Sequence, residues 1–182
     1  MPRLPLTPQD INAPAELVAG FRARNCGQLL DVHRMMLHSP SLSTAWNGFF
    51  SGIKNGMLLS PMLREMIACA VGIANGARYQ YQQHAASFLT GGGSLDQLEA
   101  LLNPDQASAD GTLFDATARA VLTMALEMTR TVKVSDQTFA AARLAMGSDQ
   151  AMVEMVGVIA GYNLVSRFLV ALEIEPAAQV LP

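Results

Sequence analysis

Helix boundary signals recur along this chain so often that little else can be built from it. Ser39-Pro40 and Ser60-Pro61 each set a capping serine before a proline at the first helical position. Ser94-Leu95-Asp96-Gln97 has the spacing of a capping box, in which side chain and backbone satisfy each other's orphan donors. Asn75-Gly76, Gly91-Gly92-Gly93 and Gly147-Ser148 read as helix stops. Between these marks strict apolar/polar alternation is nearly absent. The expected helices cover 16–37, 40–54, 61–74, 77–90, 94–102, 112–131, 136–146 and 149–173. This describes an all-α bundle whose sequential helices pack antiparallel through short connections. Pro2, Pro5, Pro8 and Pro14 exclude a helix before residue 15, so that stretch reads as an extended arm.

Composition narrows the setting. With 51% hydrophobic and only 15% charged residues, the 182-residue chain is apolar for a globular protein. Large exposed apolar patches are rare on monomers, which points to a homo-oligomer. A net charge of −3 with scattered Lys and Arg excludes a nucleic-acid footprint. The N-terminus shows no apolar stretch behind a basic start. The tract from Met155 to Ile174 carries Tyr162, Asn163, Ser166 and Arg167, and such polar groups are costly within a bilayer. A buried core helix, no membrane span and a cytoplasmic location are expected. Cys26 and Cys69 have no redox or metal spacing and read as small buried hydrophobes. No metal site and no cofactor are expected.

The chemistry concentrates in one hairpin. Glu65 lies ten residues before Asn75, and His84 eight residues after Gly76. At 1.5 Å per residue the two arms are ~15 Å and ~12 Å long, so the side chains end nearly level. Glu65, Cys69, Gly72 and Ile73 share one stripe; Ala77, Gln80, Tyr81, His84 and Phe88 share another. A carboxylate can hold an imidazole's tautomer while the imidazole moves a proton. The same spacing also suits a structural pair tying two helices.

These residues resemble the carboxymuconolactone decarboxylase family, which includes the alkylhydroperoxidase-D-like proteins. The redox branch carries Glu-x11-Cys-x2-Cys-x3-His; laid on this chain, the frame falls on Glu65, Ala77, Gln80 and His84. Both cysteines are replaced. Leu37-His38-Ser39-Pro40 with Trp46, Val134-Ser135-Asp136, and Gly161-Tyr162-Asn163 with Arg167 are similar to outer segments of the family, extending the likeness over about residues 30–176. The domain is expected at 16–176, after an arm at 1–15 and before a tail at 177–182. The resemblance implies an alkylhydroperoxidase-D-type bundle assembled as trimers or hexamers.

It further implies a cofactor-free lyase or isomerase acting on a small organic acid or lactone, with His84 as proton donor and Glu65 as its partner. Tyr79, Tyr81, Gln80, Ala77, Tyr162 and Asn163 would line the substrate pocket. Arg64, Arg78 or Arg167 would meet a substrate carboxylate. Peroxidase chemistry is disfavoured, because Ala77 offers no nucleophile and Gln80 no resolving thiol. The competing reading is a non-catalytic helical oligomer that holds a ligand or partner. His33 reads as a helix-surface residue and His38 as a helix-start residue.

Overall fold

The computed structural model describes residues 1–176, and the expected tail at 177–182 lies outside them. Every regular element among the described residues is a helix, with no strand among them. They form two compact units, one of residues 1–56 with 172–174, the other centred on residues 57–171.

In the first unit α1 (Ala15–Arg24), α2 (Asp31–Met36) and α3 (Pro40–Lys54) follow the proline-rich arm. One helix was expected over 16–37. It breaks instead at Asn25-Cys26-Gly27, where Cys26 and Gly27 take φ of 51° and 85° and the Gly27 N–H reaches back to Arg22 O. The stop was hidden because its left-handed pair begins with a cysteine. Cys26 is exposed there, against the expectation of a buried one. The arm is held by side chains. Thr7 donates to Arg34 O, the Arg34 guanidinium returns a bond to Thr7 O, and His38 Nε2 lies 2.7 Å from Pro5 O. Val18, Phe21, Leu29 and Leu37 form the core beneath.

His33 is half-buried against that core and does not lie free on the helix surface. Its ring stacks on Phe21 at 4.3 Å between centroids and 6° between planes. Its Nδ1 is buried with no hydrogen-bond partner. Burial first, then the charges of Arg24 and Lys54, lower its pKa to about 4. Below about pH 6.5 the unfolded chain therefore takes up a proton that the folded one refuses. Stability of this unit is expected to fall between about pH 6.5 and 4, by up to roughly 3 kcal/mol. Denaturant titrations at the two ends of that window check this. A His33→Phe variant should show a much flatter dependence, and an equally steep one would contradict it.

The second unit holds α4 (Pro61–Ala74), α5 (Arg78–Thr90), α6 (Leu95–Ala100), α7 (Pro104–Ala109), α8 (Ala116–Thr131), α9 (Asp136–Met146) and α10 (Asp149–Ala171). Ser60 Oγ accepts from Leu63 N, and both halves of the Ser94–Gln97 capping box are present. α7 was not expected; Asn103 caps it and Pro104 opens it, a start signal inside what reads as a loop. α8 begins later than expected. The Asp110 carboxylate folds 110–113 into a turn by accepting from Thr112 and Leu113, and Asp115 then caps the helix.

α4 is the central element, packed by α5, α8 and α10, and Met66 to Val71 are fully buried. α10 is long and apolar enough to cross a membrane by length and composition, but half of its apolar window is buried within the protein. Met152, Met155, Val158, Ile159, Tyr162, Val165 and Leu169 supply that buried face at helical spacing. Gly72 is required by close approach: a Cβ there would stand 3.2 Å from Gln80 Cβ and 3.3 Å from Ala77 O.

Candidate functional site

α4 and α5 form the antiparallel hairpin, turning at Asn75-Gly76-Ala77, where Gly76 has φ 74°. Across it His84 Nδ1 lies 2.6 Å from Glu65 Oε2. Both side chains are partly shielded, His84 at 22% and Glu65 at 13% exposed, so water reaches the pair without dissolving it. With Nδ1 turned to the carboxylate, Nε2 is the ring nitrogen left for a reactant. The Tyr162 ring meets His84 edge-on, 4.8 Å between centroids and 83° between planes.

The hydroxyl and thiol nearby stay protonated. Burial, then the Glu65 and Cys69 charges, push the Tyr162 hydroxyl well above its ordinary range, with Arg64 pulling weakly the other way. Burial, then Glu65, push the Cys69 thiol far up as well. A thiol held in that state is a poor nucleophile. A soluble thiol reagent is expected to modify Cys26 in the native protein and Cys69 only after unfolding. Rapid labelling of native Cys69 would contradict this.

The remaining expected site residues separate into two groups. Ala77, Tyr79, Gln80 and Tyr81 are buried where α5 packs on its neighbours. Gln80 Nε2 donates to Ala68 O at 2.7 Å, while its Oε1 is buried without a partner. Tyr81 Oη donates to Leu98 O at 2.8 Å; burial, then Cys69 and Glu99, push its hydroxyl up to about 12. Tyr81 thus fastens α5 to the end of α6.

Asn163 and Arg167 are engaged at the turn, not at the pair. Asn163 Oδ1 accepts from Asn75 Nδ2 and from the Arg167 guanidinium, and Asn163 Nδ2 donates to Thr129 Oγ1 and Ile159 O. All four hydrogen-bonding positions of that amide are used within the chain. Arg167 is exposed and bonded to Asn163, and Arg78 is exposed at the start of α5. Arg64, beside Glu65 on α4, is half-buried. Asn75, Thr129 and Ser166 belong to the same network and were not singled out as site residues. Asn75 reads in sequence only as a stop signal. Among the described residues no group of three or more His, Cys, Asp or Glu is arranged to hold a metal.

Residues 40–127, which span the whole hairpin, match the sequence model of the carboxymuconolactone decarboxylase family. That segment carries the family's sequence pattern. Solved structures extend the match of the fold beyond the segment. A peroxidase-related protein from Silicibacter sp. TM1040 shares 21% identity at a TM-score of 0.80, over 97% of this chain and 91% of its own. An alkylhydroperoxidase AhpD core protein from Ralstonia eutropha JMP134 shares 19% identity at 0.80, over 97% and 93%. A cysteine-to-alanine variant of the debrominase Bmp8, in complex with 2,3,4-tribromopyrrole, shares 20% identity at 0.82, over 98% and 95%. No curated protein sequence gives a significant match. At these identities the structures speak for the alkylhydroperoxidase-D-like fold alone.

Proposed function

We propose that the chain is a cofactor-free acid–base lyase or isomerase acting on a small organic acid or lactone. The observation that carries this reading is the 2.6 Å contact between His84 Nδ1 and Glu65 Oε2, in a chain whose frame has no thiol at 77 or 80. In a decarboxylation, the carbon–carbon bond to the carboxylate breaks and its electron pair passes into a dienolate as CO2 leaves. His84 Nε2–H then protonates the carbon, and the imidazole regains its proton from solvent. Glu65 stays ionised throughout; it fixes the Nδ1–H tautomer and stabilises the imidazolium. The Tyr162 ring, edge-on to His84, forms one wall beside the imidazole.

Arg64 is the arginine assigned here to a substrate carboxylate. It stands next to Glu65 on α4. That the debrominase of this fold binds 2,3,4-tribromopyrrole supports a small planar substrate. A cytoplasmic homo-oligomer, trimeric or hexameric, belongs to the same proposal. The outward face of α10, with Val153 at 71% and Leu164 at 50% exposed, supports burial against another copy.

The test compares two activities of one preparation. Unsaturated lactone acids and β-keto acids are screened for CO2 release, and hydrogen and alkyl peroxides for consumption with a dithiol reductant. CO2 release or double-bond migration without peroxide turnover is expected. Reductant-dependent peroxide turnover that Cys69→Ser abolishes would overturn the proposal.

A further inference from the structure

In a hairpin of two helices joined by a three-residue turn, the turn sets the register, here closed by Ala77 N–H to Gly72 O at 2.8 Å. One residue of sliding moves a helix by about 1.5 Å, enough to break a 2.6 Å contact between facing side chains. α5 is tied to α4 directly by Gln80 Nε2, which donates to Ala68 O at 2.7 Å, and the turn is itself anchored by a polar assembly. Asn75, the C-cap of α4, gives one amide hydrogen to Asn163 Oδ1 at 2.9 Å and the other to Ser166 Oγ at 2.8 Å. Asn163 continues the chain of bonds to Thr129 on α8 at 2.9 Å. Ser166 donates to Tyr162 O at 2.8 Å, and Tyr162 carries the ring that meets His84. Residues 162–166 of α10 therefore grip both the turn that sets the hairpin's register and the wall beside the imidazole.

We propose that Asn163 is a positioning residue for the Glu65–His84 pair, acting through Asn75 and the α4–α5 turn and never through the substrate. Its saturated amide supports this, since a group with no spare donor or acceptor has nothing left for a ligand. Thr129 and Ser166 are buried, Asn75 and Asn163 are half-buried, and Arg167 closes the network at the surface. A network whose central amide is fully satisfied specifies a single arrangement, whereas a half-satisfied one does not. The functional meaning of the role rests on reading Glu65–His84 as the reacting pair; the positioning itself does not.

The test reads the His84 ring directly. Nitrogen-15 NMR of the side chain reports the Nδ1–H tautomer and the exchange of that proton with solvent. Asn163→Leu, which keeps the bulk and removes every bond, is compared with Asn163→Asp, which keeps the acceptor and loses the donors. Arg130→Ala, which opens the ion pair to Asp105 between α7 and α8, serves as a control for lost stability alone. Asn163→Leu is expected to speed Nδ1–H exchange about tenfold or more, Asn163→Asp to do so partly, and Arg130→Ala not at all. If Asn163→Leu does not fold, Asn163→Asp and Asn75→Ala carry the comparison. His84 signals unchanged in the folded variants, or moved equally by Arg130→Ala, would overturn the proposal. Because the readout needs no substrate, absence of lyase activity leaves its outcome just as decisive.

Discussion

His84→Gln is expected to fold as the parent does and to lose turnover by about 10²- to 10⁴-fold, the usual worth of a positioned general acid. Glutamine can still donate to Glu65 from its amide, so the contact across α4 and α5 survives while proton transfer does not. Glu65→Gln is expected to be less damaging to kcat but to change its pH dependence, because the imidazolium loses its charged partner. A loss confined to KM in both variants would show that the pair only binds substrate. Thermal unfolding of each variant separates these outcomes from simple misfolding. If His84→Gln keeps full activity in a folded state, the pair is a structural tie between helices.

The second large effect concerns the fold and not the chemistry. A methyl group on Gly93, in the turn between α5 and α6, would stand 2.2 to 2.6 Å from three carbons of the Phe88 ring. Phe88 is fully buried and has nowhere to retreat, and the Gly93 N–H is bonded to Phe88 O at 3.0 Å. Gly93→Ala is therefore expected to cost about 3 kcal/mol, at the upper end for overpacking. Urea unfolding measures this directly. A second-site Phe88→Leu should restore part of the loss by removing the atoms struck. A near-neutral Gly93→Ala would mean that the turn is looser than the structure shows.

What the chain spells out locally was legible, and what depends on distant partners was not. Helix starts at Pro40 and Pro61 follow from the serine before each proline, because a cap needs only its own first turn. The level placement of Glu65 and His84 follows from counting residues to the turn, since helical rise is fixed. His33 was misjudged because its helix pattern says nothing of Phe21, which reaches it from another helix. Asn163 and Arg167 looked like pocket residues because polar groups in an apolar helix call for a reason. The reason found is the turn at Asn75, 88 positions away in sequence from Asn163. The break at Cys26 escaped because a left-handed cysteine is not a stop signal that composition reveals. Gln80 was placed at the right helical face, yet no pattern could show that its Nε2 would fasten to Ala68 O and leave Oε1 unpartnered.

The central claim is that this chain retains proton-handling chemistry at Glu65–His84 and has no dithiol chemistry. The most direct measurement runs the reaction in D2O with whichever lactone or keto acid is turned over and locates the isotope in the product. The account predicts one deuterium at the carbon that lost its carboxylate, delivered to a single face by the wild-type protein, with His84→Gln slow and no longer selective between the faces. The same holds where the double bond migrates and the deuterium falls on the far carbon of the dienolate; deuterium delivered at the same rate and to the same face by His84→Gln would contradict it.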